Sequence, residues 1–295
     1  MAPLCLSSTI ARITIRPDLG AGLMSFDVMH RNAWMPVFRS VDPGTEHPFG
    51  LSNILLVPFS GRVSGGGFAF DGAFHPIEPN MPAERYPIHG SAFSAAWTVV
   101  ETSDSAVTLS LTGTGPGPFR YDASVTYRLD GATLLMELAV TNKAALVLPY
   151  GLGFHPWFVR DHDTRLTAHA DRVWLEQDDH LPRAVEPVWK HSQLDFTRSR
   201  ELPRSWVNNW FDGWDGKARI DWPSRDLTVL VEASELLDRY VLYSPSGDAD
   251  FFCFEPVSHP VDAFNLPEGP ISHGMVKLQP GGRIKASARF IAQPL

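Results

Sequence analysis

Side chains in this sequence alternate between apolar and polar with a period of two over much of its length. The pattern is clear at residues 107–111, 125–129 and 135–140, and it returns at 240–243. Such alternation places one set of side chains on a core face and the other toward solvent or a second layer, as in β-strands. Helical periodicity is scarce, and only residues 233–238 suggest a turn of helix. We therefore expect an all-β protein.

Turn residues separate these runs at short intervals. The chain has 23 Gly and 25 Pro among 295 residues, a larger share than globular proteins usually contain. The pair Asp71-Gly72, between two aromatic segments, indicates a tight β-hairpin. Since no linker divides the chain, we predict one domain spanning residues 1–295, a large antiparallel β-sandwich built from two packed sheets.

Charge and hydropathy narrow the class of partner. The formal net charge is −8, which repels nucleic acid and anionic membrane surfaces, so neither is expected as a partner. No segment reaches the ~20 apolar residues that span a bilayer, and the N-terminus lacks the pattern of a secretion signal. We expect a cytoplasmic protein. Cys5 and Cys253 are too few for a disulfide framework and are predicted to be buried free thiols.

Titratable side chains inside aromatic or glycine-rich segments are the candidates for chemistry. Glu255 follows the apolar run 251–254 and precedes a proline. Burial of an unpaired carboxylate is costly and raises its pKa toward the range of a general base. His89, His155 and Arg62 occur in similar surroundings, although a lone histidine on an apolar strand is more often a hydrogen-bonded core residue than a catalyst.

Other catalytic patterns are missing from the sequence. It contains no Gly-x-Ser-x-Gly nucleophile elbow, and the glycines at 65–67 lack the lysine of a phosphate-binding loop. The cluster Arg160-Asp161-His162-Asp163 matches no metal-ligand spacing, so no metal site is predicted. A glycosidase would need two suitably spaced carboxylates, and only Glu255 stands out.

Taken in order along the chain, these segments resemble the aldose 1-epimerase, or mutarotase, family. The similar segments are the run 53–62 that ends in Arg62, the hairpin 68–72, Ile88-His89-Gly90, Gly153-Phe154-His155-Pro156-Trp157-Phe158, Cys253-Phe254-Glu255-Pro256-Val257 and Leu278-Gln279-Pro280-Gly281. In this family the second histidine motif is usually written G-x-H-P-Y-F, and this sequence has Trp157 at the position of the tyrosine. The resemblance extends over nearly the whole chain.

This resemblance implies a β-sandwich with a concave face that holds a monosaccharide, and interconversion of the α and β anomers of a free aldose. It assigns Glu255 as general base and His155 as general acid, with His89 and Arg62 binding sugar oxygens. Such chemistry needs one proton removed from the C1 hydroxyl and one delivered to the ring oxygen, so neither metal nor cofactor is implied. A monomer or homodimer is expected.

The sequence departs from the family pattern at two further positions. The family commonly has an aspartate where Asn208 precedes Asn209-Trp210-Phe211-Asp212-Gly213, and the resemblance assigns that residue to a sugar hydroxyl. Asparagine still accepts a hydrogen bond but also donates one, and it is uncharged. Gly61 stands before Arg62 where many relatives have asparagine.

Two alternatives stay open at the level of sequence. A hexose 6-phosphate mutarotase would need further cations at the pocket, and Arg85 or Lys277 are available. A non-catalytic carbohydrate-binding protein on the same scaffold is compatible with Asn208.

Overall fold

The structure, a computed structural model, describes residues 2–82 and 84–295. It confirms the predicted all-β class. In chain order, the strands of these residues are Leu4–Ser7 (β1), Ala11–Arg16 (β2), Gly22–His30 (β3), Ala33–Pro36 (β4), Asn53–Leu56 (β5), Gly67–Phe70 (β6), Ala73–Pro76 (β7), Thr98–Thr102 (β8), Ala106–Thr114 (β9), Arg120–Asp130 (β10), Thr133–Asn142 (β11), Leu148–Tyr150 (β12), Gly153–Val159 (β13), Arg165–Ala168 (β14), Arg172–Glu176 (β15), Pro182–Pro187 (β16), Arg200–Glu201 (β17), Val207–Asp212 (β18), Lys217–Trp222 (β19), Leu227–Ala233 (β20), Arg239–Ser244 (β21), Phe251–Val257 (β22), Val276–Leu278 (β23) and Arg283–Pro294 (β24).

Helical structure is brief. One α-helix spans Gly269–Ser272, and short 3-10 helices span Pro48–Gly50, Ala92–Ser94, Val188–Lys190, Ser192–Leu194 and Pro223–Arg225. Residues 233–238, which suggested a helical turn, instead end strand β20 and form a non-helical turn. In the part of the chain that the structure describes, no helix has the length and apolarity needed to cross a bilayer.

Two large antiparallel sheets make up the molecule. The larger has strand order β1-β2-β3-β5-β13-β22-β21-β18-β15-β16, with β4 added beside β3. The smaller has order β17-β14-β19-β20-β24-β11-β10-β9-β8. Two separate two-stranded sheets, the hairpin β6-β7 and the long-range pair β12-β23, lie apart from them. The β6-β7 pair turns at Asp71 and Gly72, both with positive φ, as the sequence predicted.

The main core lies between the two large sheets. Phe38 shows the contact, because its ring packs edge-on against Phe158 of β13 at 5.0 Å and against Phe290 of β24 at 5.3 Å. Phe158 and Phe290 also approach each other at 5.9 Å. Each such aromatic pair adds about 0.5–1.5 kcal/mol beyond the apolar area that it buries. These contacts fix the smaller sheet against one face of the larger.

The central strands of the larger sheet are buried on both faces. In β13 and β22 the side chains alternate, so that Phe154, Phe158, Phe252 and Phe254 enter the main core. The intervening side chains point to the opposite face, where Trp157 and Cys253 belong to a second apolar cluster. This explains why the sequences of β13 and β22 are nearly unbroken runs of apolar residues. The second face is the one that contains the candidate site.

The two cysteines differ in their surroundings. Cys253 is buried, as predicted, but Cys5 is exposed. Cys5 lies on β1, at the edge of the larger sheet, where only Leu6 of that strand turns inward. The prediction of a buried thiol at position 5 was therefore wrong, because alternation on an edge strand leaves every second side chain in solvent.

Candidate active site

A cavity of about 310 Å³ opens on the second face of the larger sheet. All five residues proposed from the sequence line it: Arg62, His89, His155, Asn208 and Glu255. The sheet register explains this convergence. Cavity-facing side chains form one cross-strand row through Trp210, Val241 and Glu255, and a second through Asn208, Tyr243, Cys253 and Trp157.

His155 and Glu255 are direct neighbours at the floor of the cavity. The pairs Gly153–Val257 and Trp157–Cys253 flank them in the β13-β22 ladder. Nε2 of His155 lies 3.4 Å from Oε1 of Glu255, and both side chains are nearly inaccessible to solvent. The two groups are therefore on one side of the cavity and close enough to act on two oxygens bonded to a single carbon.

Burial sets the protonation of this pair. Desolvation raises the pKa of Glu255 well above its usual range, an effect that Arg62 only partly offsets. Desolvation also lowers the pKa of His155 well below 6.5, and electrostatic interactions with His89 and Arg39 add to that shift. With nothing bound, burial therefore favours a neutral carboxyl beside a neutral imidazole. The pair thus holds one exchangeable proton, which an acid–base reaction can use.

His89 is held by a reciprocal pair of hydrogen bonds with Gly61. The Gly61 N–H donates to Nδ1 of His89 at 3.0 Å, and the His89 N–H donates to the Gly61 carbonyl at 2.9 Å. Burial lowers the pKa of His89 to about 3, so the ring is neutral. Because Nδ1 accepts, the ring hydrogen is on Nε2, which leaves a donor free for a ligand oxygen.

The backbone at Gly61 and His89 requires residues that tolerate positive φ. Gly61 has φ +70° and His89 has φ +57°. Left-handed backbone is most accessible to glycine and then to asparagine, aspartate and histidine. This accounts for Gly61 at a position where many relatives have asparagine. A Cβ at residue 61 would also lie 3.0 Å from the side chain of Val261.

A third imidazole, His259, supports the same turn and was not identified from the sequence. The Ser60 N–H donates to Nε2 of His259 at 3.1 Å, while Nδ1 of His259 is 2.9 Å from the Pro260 carbonyl. Burial lowers the pKa of His259 to about 4. Consecutive amides at Ser60 and Gly61 are therefore capped by two neutral histidine rings, His259 and His89. The motif Ser258-His259-Pro260 has no periodic signal that would have revealed this contact.

Arg62 lines the cavity as an ion pair rather than as a free cation. Its Nε and Nη2 donate to Oε2 and Oε1 of Glu84 at 3.0 and 3.2 Å. Such a bidentate contact fixes the guanidinium plane and offsets its charge. Glu84 also lines the cavity and was not predicted, because it occurs in a loop without periodicity.

Asn208 belongs to a second polar network at the cavity. Its Nδ2 donates to Oε2 of Glu176 at 2.8 Å. The same carboxylate also receives Nε1 of Trp206 and lies 2.9 Å from Nδ1 of His180. Neither Glu176 nor His180 was predicted, although Glu176 ends the alternating strand β15 and a carboxylate at a strand end is a usable signal.

Arg39 is a further cavity residue that sequence reasoning missed. Its guanidinium lies 4.5 Å from the ring centre of Trp157 and 5.0 Å from that of Phe251, and it donates to the carbonyls of Phe49 and Leu51. Burial lowers its pKa. Trp157 in turn stacks on His155 with ring centres 3.9 Å apart. An indole face stabilises a cation, so this stack favours the protonated state of His155 when it forms.

Several buried polar atoms at the cavity have no protein partner. Among the described residues, Oγ of Ser60, Nδ1 of His155 and Nε1 of Trp210 are buried without a hydrogen bond. Leaving a buried donor or acceptor unpaired costs about 1–3 kcal/mol. All three belong to residues that line the cavity, so a hydroxyl-rich ligand would supply the missing partners.

His155, Cys253 and Glu255 also place possible metal-ligand atoms within 4.8 Å of one another. A histidine, a cysteine and a carboxylate form a donor set that suits Zn²⁺. Binding would require the thiolate, but burial and the nearby Glu255 carboxyl raise the pKa of Cys253 well above its usual range. The thiol is therefore held in its weakly ligating, neutral form.

The two cations considered for a phosphate lie outside this site. Neither Arg85 nor Lys277 is among the described residues that line the cavity. Arg85 is largely exposed and lies 4.0 Å from Asp179, while Lys277 lies 3.5 Å from Asp71. The cations that do line the cavity are Arg39 and Arg62.

Sequence comparison relates the chain to one family over nearly its full length. The profile described as aldose 1-epimerase matches residues 8–290. YphB of Escherichia coli K12, an uncharacterized protein, is 36% identical over 233 residues, which are 77% of this chain and 78% of that protein.

Solved structures show the same relation. A putative aldose 1-epimerase from Escherichia coli K12 superposes with a TM-score of 0.91 at 30% identity, covering 100% of this chain and 99% of that one. A GalM/aldose epimerase homologue from C. elegans gives 0.85 at 16% identity, with coverages of 100% and 99%. A galactose mutarotase-like protein from Clostridium acetobutylicum gives 0.83 at 17% identity, with coverages of 99% and 95%. At such identities the last two show a shared fold.

Proposed function

Because the chain belongs to the aldose 1-epimerase family, we propose that it is a mutarotase, which interconverts the α and β anomers of a free aldose. The observation that supports this most is the contact of 3.4 Å between His155 and Glu255 on the floor of a sugar-sized cavity. The C1 hydroxyl and the ring oxygen of a pyranose are bonded to one carbon. A carboxyl and an imidazole in contact can therefore address both at once.

In the proposed reaction, Glu255 accepts the proton of the C1 hydroxyl and His155 gives a proton to the ring oxygen. The C1–O5 bond breaks as the C1 carbonyl forms, the aldehyde turns about C1–C2, and ring closure on the other face reverses both transfers. A sugar hydroxyl that donates to Glu255 favours its carboxylate, so that the single proton of the pair moves to His155. Trp157 stacks beneath that imidazolium.

The other side chains hold the sugar. His89 offers an Nε2–H, since its Nδ1 is occupied by Gly61. Arg62, fixed by Glu84, offers its remaining N–H groups to a ring or hydroxyl oxygen. Ser60 and Trp210 contribute a hydroxyl and an indole donor that have no partner among the described residues. None of these steps calls on a redox group or a strong nucleophile, and no cofactor is proposed.

The test is anomer exchange, followed by NMR and polarimetry on fresh α-glucose, α-galactose and other aldoses. Glu255→Gln and His155→Asn are each expected to lower the rate about 10²–10⁴-fold, because each removes one proton-transfer group. Glu186→Gln and His191→Asn are the matched controls, since these residues form an ion pair away from the cavity. A folded wild-type protein that accelerates no aldose in the panel contradicts the proposal.

A phosphorylated aldose is the second candidate substrate, and one observation favours it. Arg39 lines the cavity and forms no ion pair with any carboxylate of the described residues. A cation without a carboxylate partner is suited to an anionic substituent. A higher kcat/KM on glucose 6-phosphate than on glucose, lost in Arg39→Gln, would identify this class. Sugar binding without anomer exchange would instead indicate a non-catalytic carbohydrate-binding protein.

A further inference from the structure

The part of the cavity beside strands β15 and β18 is built around the carboxylate of Glu176. Three donors converge on it: Nε1 of Trp206 on Oε1, and both Nδ2 of Asn208 and Nδ1 of His180 on Oε2. An indole N–H can only donate, and the amide nitrogen of asparagine can only donate. Glu176 therefore acts as an acceptor throughout this network. Its side chain is 16% exposed and lies behind Trp206, His180 and Asn208, which line the cavity.

This arrangement decides which way the Asn208 amide points. With Nδ2 toward Glu176, the contact is a donor and an acceptor 2.8 Å apart. The flipped amide would bring Oδ1 to that position and place two acceptors against each other, which is repulsive. Oδ1 of Asn208 consequently has no partner among the described residues, and it belongs to a residue that lines the cavity. It is an acceptor for a ligand hydroxyl.

We propose that Glu176 is a positioning residue that fixes the Asn208 amide, so that Asn208 presents an uncharged acceptor to a sugar hydroxyl. This rests on the proposed function. It explains the departure from the family pattern, because an aspartate at 208 would set two carboxylates within hydrogen-bond distance of each other. Asn208 retains the oxygen acceptor, and the negative charge that an aspartate would carry at position 208 is carried instead by Glu176, which lies behind it.

The assignment also defines the substrate class in this part of the cavity. Asn208 offers an acceptor, with the Glu176 carboxylate behind it, and Trp206 and Tyr243 pack edge to face at 5.3 Å to form an aromatic wall. A neutral hydroxyl can donate to Oδ1 of Asn208. A phosphate or carboxylate substituent would meet an oxygen acceptor with a carboxylate behind it. The part of the cavity bounded by Glu176 therefore takes hydroxyls, and an anionic substituent, where present, must lie elsewhere.

The hydrogen-bond pattern can be inverted by two substitutions. In Glu176→Gln, the new amide keeps its oxygen toward Trp206 and turns its nitrogen toward Asn208, whose own amide must then flip and present a donor to the sugar. In Asn208→Asp, two carboxylates meet. In the double variant E176Q/N208D, the amide nitrogen at 176 donates to the carboxylate at 208, and His180 accepts through its other tautomer. The aspartate of the N208D variant still carries an acceptor oxygen, but repulsion from Glu176 displaces it, so only the double variant presents an acceptor that is held in place.

The experiment measures KM and kcat for the aldose that the wild type turns over fastest. Each single variant is expected to raise KM about tenfold with kcat changed much less, since the ground-state hydrogen bond to the sugar is lost in E176Q and displaced in N208D. The double variant should return KM to within about threefold of wild type. Glu186→Gln, which alters another histidine-paired glutamate outside the cavity, should leave KM unchanged.

A wild type that accelerates no aldose removes the proposed function and this assignment with it. This assignment alone is removed if the wild type is active and E176Q has the same KM. It is also removed if the double variant raises KM by the product of the two factors measured for the single variants. Unfolding free energies of the four proteins separate misfolding from the specific effect. A purely structural pair would recover stability in the double variant without recovering KM.

Discussion

Glu255 and His155 illustrate how one local fact, the burial of two titratable groups in contact, determines what a site can do. Each group alone would be shifted to its neutral form by desolvation. Together they hold one proton, whose position between them depends on what fills the cavity. Burial shifts their two pKa values in opposite directions, as is common for paired catalytic groups.

The pH dependence of activity follows from these directions. Loss at low pH requires a second proton on the pair, and because the pKa of His155 is lowered, the acidic limb of kcat/KM should have its midpoint below 6.5. Loss at high pH requires removal of the only proton, and because the pKa of Glu255 is raised, that limb should lie above 4.5. Initial rates of anomer exchange, corrected for buffer catalysis, measure both limbs. An acidic midpoint at or above 6.5 contradicts this account of the pair.

Strands β13 and β22 could be predicted from the sequence as apolar segments. Their role in holding the candidate residues His155 and Glu255 could be predicted in part. Alternation, the turns and the hairpin at Asp71-Gly72 were readable because they depend on local sequence. The five predicted site residues that line the cavity were identified through motif order. Glu84, Glu176 and His259 were missed because each acts through a partner at least 22 residues away in sequence. Such partners are set by the register of distant segments, which no local pattern encodes.

The turn at residues 60–61 offers a test of one such element-level contact. A Cβ on Gly151 would lie 2.1 Å from Cδ2 of His259. Gly151→Ala should therefore displace this ring from the Ser60 amide and reduce the free energy of unfolding by about 1–3 kcal/mol. Activity should fall as well, because the same turn positions Arg62 and His89.

Gly44→Ala is the matched control for this change, since a Cβ there would have its nearest neighbour at 3.4 Å, an ordinary contact. Chemical denaturation and anomer-exchange rates measure the two effects. Equal stability and activity in the two alanine variants would show that the His259 contact does not support the turn.

At the scale of the whole molecule, the larger sheet is covered on one face by the smaller sheet. Its other face carries the second apolar cluster, which surrounds the cavity. His89, His155 and His259 are all buried within this second layer, and burial lowers the pKa of each. The predicted sandwich thus accounts for the core. The burial of all three imidazoles depends on how distant segments of the chain cover the second face. No local sequence pattern indicates that arrangement.

Acid should therefore destabilise the fold. For His259 the pKa is about 4 in the folded protein and about 6.5 when exposed. As pH falls below 6.5 the unfolded chain binds a proton that the folded state does not, so stability is lost down to about pH 4. Glu255, with a raised pKa, contributes in the opposite sense.

The His259 contribution can be isolated by comparing wild type with His259→Gln in denaturant titrations at several pH values. Between about pH 6.5 and 4 the wild type should lose up to about 3 kcal/mol more than the variant. Parallel loss in the two proteins would show that His259 does not titrate differently on unfolding.

The ladder order separates the groups proposed to exchange protons from the groups proposed to hold a sugar hydroxyl. Glu255 lies on β22, whereas Asn208 and Glu176 lie on β18 and β15, with β21 between. Two strand spacings, about 10 Å, separate β22 from β18. Substitutions on β15 and β18 can thus change which sugar is preferred while β13 and β22 keep their sequence. Related proteins can therefore differ in substrate and still share one proton-transfer chemistry.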